Sequence, residues 1–493
     1  MNFNSLEFLI FLPLVVILYW VLPHKARWIM LLIASYIFYM LWNVWLIVLI
    51  MITTVTAYVA GIIIERTHDK RVKTASLVIT LIICLGLLIF FKYINFILES
   101  AVGVIRLFNA EQDSIVLNII LPVGISFYTF QTLSYVIDVY RGDYKAEKHF
   151  GYFALYVSYF PQLVAGPIEK PQTLLPQLRE EQKLKEEDIL AGGKWLLSGF
   201  FRKCVVADFC GIFVNNVYGD LANANALAIF AASALFLVQI YNDFAGYSEI
   251  ALGCARLMGV KLSKNFDRPL TSTSYTEFFR RWHITLNQWF TQYVYIPLGG
   301  NRKGTARKII NILIVFALCG LWHGANWTFV LWGLASGVIM SIETLLRKPF
   351  AKLCAKTKID LENPVVRVIR QVLLIIMFTL CSVLFRSGNM AEVGLAYSGM
   401  FSGWGIGEDY VNNAMNSLGM DVSQLLQLFI FIVGMAAIYK LTLEPSDGNL
   451  PLVEAKSYAL NMSVFIYGIT AIMLCWIGLL SMGDSSAFQY FQF

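Results

Sequence analysis

The sequence is short of charge. Only 14% of its 493 residues are Asp, Glu, Lys or Arg, against about 25% in soluble globular proteins. Hydrophobic residues make up 58%. Residues 28–64 and 309–342 contain no charged side chain other than histidine, and a bilayer core of ~30 Å needs about 20 apolar residues as helix. The scarcity of charge therefore excludes a soluble fold. Residues 1–7 carry no Lys or Arg, and no small-residue cleavage site follows the apolar run 6–22. That run is read as a first membrane helix rather than a cleavable signal. The eight cysteines form no CxxC pair, so buried free thiols are expected, with neither a disulfide framework nor a metal site. There is no GxSxG, Walker A, strand-linked GxGxxG or HExxH motif, which sets aside the common soluble hydrolase, nucleotide and zinc-protease chemistries. The net charge of +6 sits in short loops. It matches topology control in a lipid bilayer, and no nucleic-acid partner is expected.

What is present is a succession of apolar runs. They predict helices near 6–22, 28–42, 44–64, 75–91, 93–108, 150–165, 190–217, 226–245, 309–321, 327–345, 365–386, 424–440 and 459–481. No long linker or internal repeat divides them, so a single membrane domain over 1–493 is expected. It comprises N-terminal helices 1–114, a core 115–346, and C-terminal helices with a tail over 347–493. Most Lys and Arg fall in 24–27, 65–73, 169–188, 261–281, 302–308 and 347–358, whereas 387–439 and 457–493 have none. The positive-inside rule makes the first set cytoplasmic and the second extracytoplasmic. Both termini are then extracytoplasmic, in a multi-pass membrane protein.

Histidine is scarce, with five in all. His24, His68 and His149 lie in charged loops and read as ordinary loop histidines. His323 lies in Leu321-Trp322-His323-Gly324-Ala325-Asn326-Trp327, between two apolar runs whose outer flanks are both basic. The run must enter the membrane and return. Arms of roughly 12–16 residues, about 18–24 Å as helix, put the turn beyond the midplane. An ionisable group at that depth is a functional candidate by default. A desolvated, neutral imidazole suits a general base, and Gly324 would allow close approach of a substrate to the backbone. A histidine hydrogen-bonded to a neighbouring helix is the competing reading.

His283 follows Ser274-Tyr275-Thr276-Glu277-Phe278-Phe279-Arg280-Arg281-Trp282. Phe278, Trp282, Leu286 and Trp289 recur at helical spacing, which predicts one amphipathic helix at the cytoplasmic interface. Ser274 and Glu277 fit a capping box at its start. On spacing alone an interfacial anchor with an incidental histidine is the simpler account. Asp243 and Glu249, near a membrane-helix end, fit either a proton relay or pairing with Arg268 or Lys261; a structural or cavity-lining role is favoured. The breaks at Pro122–Tyr128 and Tyr159–Pro167 suggest a cavity, though transporters use broken helices as well. The segment 299–304 reads as a basic turn.

Taken in order, PVGISFYTFQTLSYVID, YFPQLVAGP, QIYNDFAGYSE, NFDRP, FFRRWHITL, YIPLGGNRK and the segment 321–333 resemble the membrane-bound O-acyltransferase (MBOAT) family. The likeness is to its bacterial branch, which holds the alginate O-acetyltransferase membrane subunit and the teichoic-acid D-alanyl transfer protein. It covers about residues 120–345. It implies an all-α polytopic membrane protein with the MBOAT fold, about 11–13 transmembrane or re-entrant helices around a central funnel. It implies His323 as general base towards an acceptor hydroxyl, and His283 as a second catalytic residue on the acyl-donor side. Trp322, Asn326, Asp243, Tyr247, Arg281 and Trp282 are assigned to substrate binding, with no metal and no bound cofactor. The expected activity is acyl transfer, with acetyl favoured and D-alanyl from a carrier protein as the alternative. The group would pass from a cytoplasmic donor such as acetyl-CoA to a cell-surface polymer, directly or through an extracytoplasmic acetyltransferase or esterase-fold partner. A proton-coupled transporter is the distant alternative. Tyr490 fits either an acyl relay or an interfacial aromatic anchor.

Overall fold

A computed structural model of the chain describes residues 1–108 and 116–442, with side chains up to residue 435. The expected helix 459–481 and Tyr490 lie outside the described residues. Among those described there is helix and no strand, and six helices are long and apolar enough to cross a membrane, or seven if the bent pair Glu408–Leu418 and Val422–Met435 counts as one span. The protein is an all-α, multi-pass membrane protein. The described residues divide into two compact units, one within residues 1–193 and 251–264, the other within residues 194–250 and 265–442.

The first unit is built on Leu6–Val21, His24–Met40, Ile47–Arg66 and Lys70–Leu107. The last of these is one 38-residue helical rod, not the two helices expected on either side of Lys92. A π-turn over Ile89–Tyr93 accommodates the polar interruption without ending the helix. Ile125–Arg141 is a helix with no counterpart among those predicted, because Ser, Thr, Gln and Asp dilute its hydropathy. It is nevertheless almost wholly buried. Three of its polar side chains find buried backbone acceptors: Thr132 Oγ1 donates to Tyr128 O (2.6 Å), Ser134 Oγ to Phe130 O (2.8 Å) and Gln131 Nε2 to Tyr156 O of the next helix (2.7 Å). The expected 150–165 helix is two pieces, Phe150–Ser158 and Phe160–Leu163, because Pro161 lacks the N–H that a continuous helix requires.

In the second unit, Gly304–His323 and Trp327–Thr357 form an antiparallel hairpin packed through small residues. A Cβ on Gly320 would collide with the Phe329 carbonyl, and one on Gly333 with the Phe316 carbonyl. Glycine at these points lets two helix backbones approach, the usual route to tight packing where lipid removes the hydrophobic drive. The first arm has 20 residues, about 30 Å of helix, so it is longer than the 12–16 residues expected from the apolar run. Basic residues from Arg307 onward join the helix instead of standing outside it. The helix expected at 226–245 runs on to Leu257, because its polar residues find buried partners, described below. Pro364–Arg386 packs beside the hairpin, and Met390–Phe401, Glu408–Leu418 and Val422–Thr442 follow.

Candidate active site

His323 is the last residue of its helix, 7% exposed. The turn that follows is short because Asn326 caps the return helix: its Oδ1 accepts from Thr328 N–H at 3.0 Å, while its Nδ2 donates to Gly388 O at 2.7 Å. The space over Gly324 is filled by the Phe329 ring, so close approach of a substrate there, expected from the glycine, is blocked. The His323 ring contacts Trp322 (5.1 Å between centroids), Trp332 (5.3 Å) and Phe385 (5.2 Å).

The amphipathic stripe around His283 does not form one helix. It breaks into Tyr275–Arg281 and Ile284–Phe290, and His283 sits at the break in a left-handed conformation, φ +46°. The Ser274 cap is present, its Oγ accepting from Glu277 N–H at 3.1 Å. Glu277 returns a bond to Thr273 N–H (2.8 Å), one residue earlier than a capping box requires. His283 is 1% exposed, which removes it from an interfacial anchor. Its ring packs on Phe244 (4.7 Å) and Trp322 (5.6 Å), and its centroid lies 6.4 Å from that of His323. His283 belongs to none of the six spans. Burial, with a smaller push from His323, holds its imidazole well below the usual histidine range, so it is neutral at pH 7.

His323 lines an apolar, partly open cavity. Trp282, Phe278, Phe378, Phe385 and Trp332 supply most of the aromatic wall, and Ser382 is the other small polar group. A single imidazole in such a wall can take a proton from a hydroxyl brought into the cavity, and the exclusion of water strengthens each polar contact made there. The Ser382 hydroxyl is within reach of two backbone carbonyls, Thr379 O at 2.7 Å and Ser233 O at 3.0 Å. The sequence reading missed Ser382 and the Phe378 and Phe385 rings. Their one signal is a spacing of three and four residues on a helix that is apolar all round.

The other assigned residues disperse. Trp282 lines the cavity and Trp322 contacts both histidines. Asn326 caps its helix. Arg281 pairs with Glu277 (2.7 Å) and donates to Thr271 Oγ1 (3.2 Å). Tyr247 is buried one helical turn beyond Asp243, and neither lines the cavity. Asp243 pairs with neither Arg268 nor Lys261 but with Lys203 at 2.8 Å, both side chains 1% exposed. Lys203 reaches Asp208 as well, also at 2.8 Å. Glu249 takes Arg202 (2.9 Å) and Ser198 Oγ (2.5 Å), and Arg202 NH1 donates to Asn242 Oδ1 at 3.0 Å. Arg202 and Lys203 lie on a π-turn, Phe201–Ala207, that brings both side chains into the interior. Two adjacent basic residues inside an apolar run were the signal for them.

A buried histidine lining an apolar cavity in an all-α membrane protein, with a second histidine beside it, fits transfer of an acyl group to a hydroxyl. The family profile described as "MBOAT, membrane-bound O-acyltransferase family" matches residues 148–386. A probable alginate O-acetylase of Azotobacter vinelandii is 33% identical over the whole of both chains. The chain therefore belongs to the membrane-bound O-acyltransferase family and is an O-acyltransferase. Further relatives are a peptidoglycan O-acetyltransferase of Helicobacter pylori, 32% identical over 69% of this chain and 70% of that protein, and a teichoic acid D-alanyltransferase of Streptococcus thermophilus, 30% identical over 46% of this chain and 58% of that protein.

Proposed function

We propose that the protein O-acetylates a bacterial cell-surface polysaccharide. The acetyl group comes from a cytoplasmic thioester of the acetyl-CoA type, which acts as substrate rather than bound cofactor. The observation that carries this reading is the imidazole of His323 in the wall of an otherwise apolar cavity, 6.4 Å from a second, neutral histidine. His323 takes the proton of the acceptor hydroxyl as its oxygen attacks the thioester carbonyl. The C–S bond then breaks, and the departing thiolate recovers the proton. His283 supports this exchange from behind His323, and Trp282 and Trp322 hold the reacting groups in place. Acetyl is favoured over D-alanyl because the alginate acetylase relative matches end to end and the D-alanyltransferase over less than half of this chain.

The protein lies in the cytoplasmic membrane with both termini outside. The basic 302–308 segment is cytoplasmic, and the 20-residue helix that begins within it at Gly304 carries His323 towards the far leaflet. The acceptor is a hydroxyl of the polymer itself or of an extracytoplasmic partner of acetyltransferase or esterase fold that relays the group. The test is alkali-labile acetate on surface polysaccharide in cells with and without the chain. Unchanged acetate with a lost D-alanyl ester would replace acetyl by D-alanyl. Unchanged levels of both would reject the reading.

A further inference from the structure

His283 adopts a backbone conformation that a residue with a Cβ does not favour. At φ +46°, ψ +52° it is in the left-handed region, where the side chain crowds the following carbonyl. Among the described residues only Arg268 and Lys358 share a positive φ without being glycine. A strained residue persists when its surroundings over-determine it, and here two asparagines do so from opposite sides.

Asn265 ties down the chain after His283. Its Oδ1 accepts from the Thr285 hydroxyl (2.6 Å) and from Thr285 N–H (3.3 Å), and its backbone carbonyl accepts from Ile284 N–H (2.9 Å). Asn265 is 1% exposed, and among the described residues nothing accepts from its Nδ2. Its side chain serves as an acceptor. Asn287 ties down the chain before His283. Its Nδ2 donates to the carbonyls of Phe279 and Trp282, both at 2.6 Å. The break leaves such helix-end carbonyls without an intrahelical donor, and Asn287 satisfies them. Asp267 N–H adds a backbone bond to Arg281 O at 2.9 Å.

We propose that Asn265 and Asn287 are positioning residues of the acyl-transfer centre: together they hold the left-handed turn that sets the His283 ring against Trp322 and His323. This rests on the reading that His283 takes part in the reaction. The two asparagines do chemically opposite work, one accepting and one donating. The same substitution must therefore have opposite consequences. Asn265→Asp keeps the acceptor facing an N–H and an O–H. Asn287→Asp replaces a donor by an acceptor aimed at two carbonyls.

The experiment uses cells whose only copy is the full-length chain, tagged. It reads alkali-labile acetate on the surface polysaccharide per molecule of monodisperse protein recovered in detergent. The expected result is acetylation within about threefold of wild type for Asn265→Asp, and at least a tenfold loss for Asn265→Ala, Asn287→Ala and Asn287→Asp. If the alanine variants do not accumulate, Thr285→Val removes the 2.6 Å bond alone and must itself lower acetylation per molecule severalfold. Equal behaviour of Asn265→Asp and Asn287→Asp overturns the proposal, as does wild-type acetylation per molecule in Thr285→Val and the alanine variants. Full acetylation by a folded His283→Ala protein would instead overturn the reading beneath it. An inactive His283→Ala beside active asparagine variants overturns only the clamp.

Discussion

The rings of His283 and His323 lie 6.4 Å apart, inclined by 63°, with Trp322 against both. Forty residues of chain separate them, yet they share one buried site. Their closeness supports the proposal that a pair of imidazoles in an aromatic enclosure handles the catalytic proton, with the charged residues of the second unit in a structural part.

Lys203 and Asp243 form a buried ion pair. Removing one member strands the other charge in the interior, which costs about 3–5 kcal/mol. Lys203→Met, or Asp243→Leu, is therefore expected to lower thermal stability in detergent sharply. The double variant should recover part of the loss, reduced by the second carboxylate of Asp208. Equal stability of the single variants and wild type would contradict this account of the pair.

Gly320 faces a backbone carbonyl that cannot move without moving its helix. Gly320→Ala is expected to cost about 1–3 kcal/mol or more, as overpacking does, seen as poor accumulation and a lowered Tm. Gly86→Ala, with nothing within 4 Å of the added methyl, is the control. Its Tm should hold or rise.

Asn326 separates capping from substrate binding. Asn326→Ser keeps an acceptor for Thr328 N–H, so it should retain most of the stability, whereas Asn326→Ala loses about 1 kcal/mol. Acetylation per folded molecule should stay within about twofold in both. A hundredfold loss with an unchanged Tm would return Asn326 to the substrate.

The depressed pKa of His283 has a pH signature. Below its ordinary value of about 6.5 the unfolded chain takes up a proton that the folded site refuses. Its contribution to stability is thus complete above pH 6.5 and is lost as pH falls towards the depressed folded value. Thermal unfolding in detergent at pH 7.5 and 5.5 should show a larger acid loss for wild type than for His283→Gln. Identical losses would mean that the ring is protonated when folded.

The sequence made much of this legible, and the misses have physical causes. His323 was readable because an ionisable ring between two charge-free runs is costly to hold at membrane depth, so its presence there points to chemistry. Ile125–Arg141 was not, since the Thr132 and Ser134 hydroxyls are satisfied by carbonyls of their own helix and hydropathy counts them as polar all the same. The break at His283 was hidden because Phe278, Trp282, Leu286 and Trp289 keep helical spacing across it. Only the distant Asn265 and the nearby Asn287 reveal that the backbone departs from it. Asp243 was given the wrong partners because charge was sought in loops, whereas Lys203 is carried inward by a π-turn.

The most direct test concerns His323. Cells carrying His323→Ala or His323→Gln as their only copy, with the protein shown to be inserted and monodisperse, are assayed for alkali-labile acetate on surface polysaccharide. Loss of a general base predicts a fall of about 10²–10⁴ with stability near wild type. Acetate at the wild-type level in a correctly folded variant would contradict the central claim.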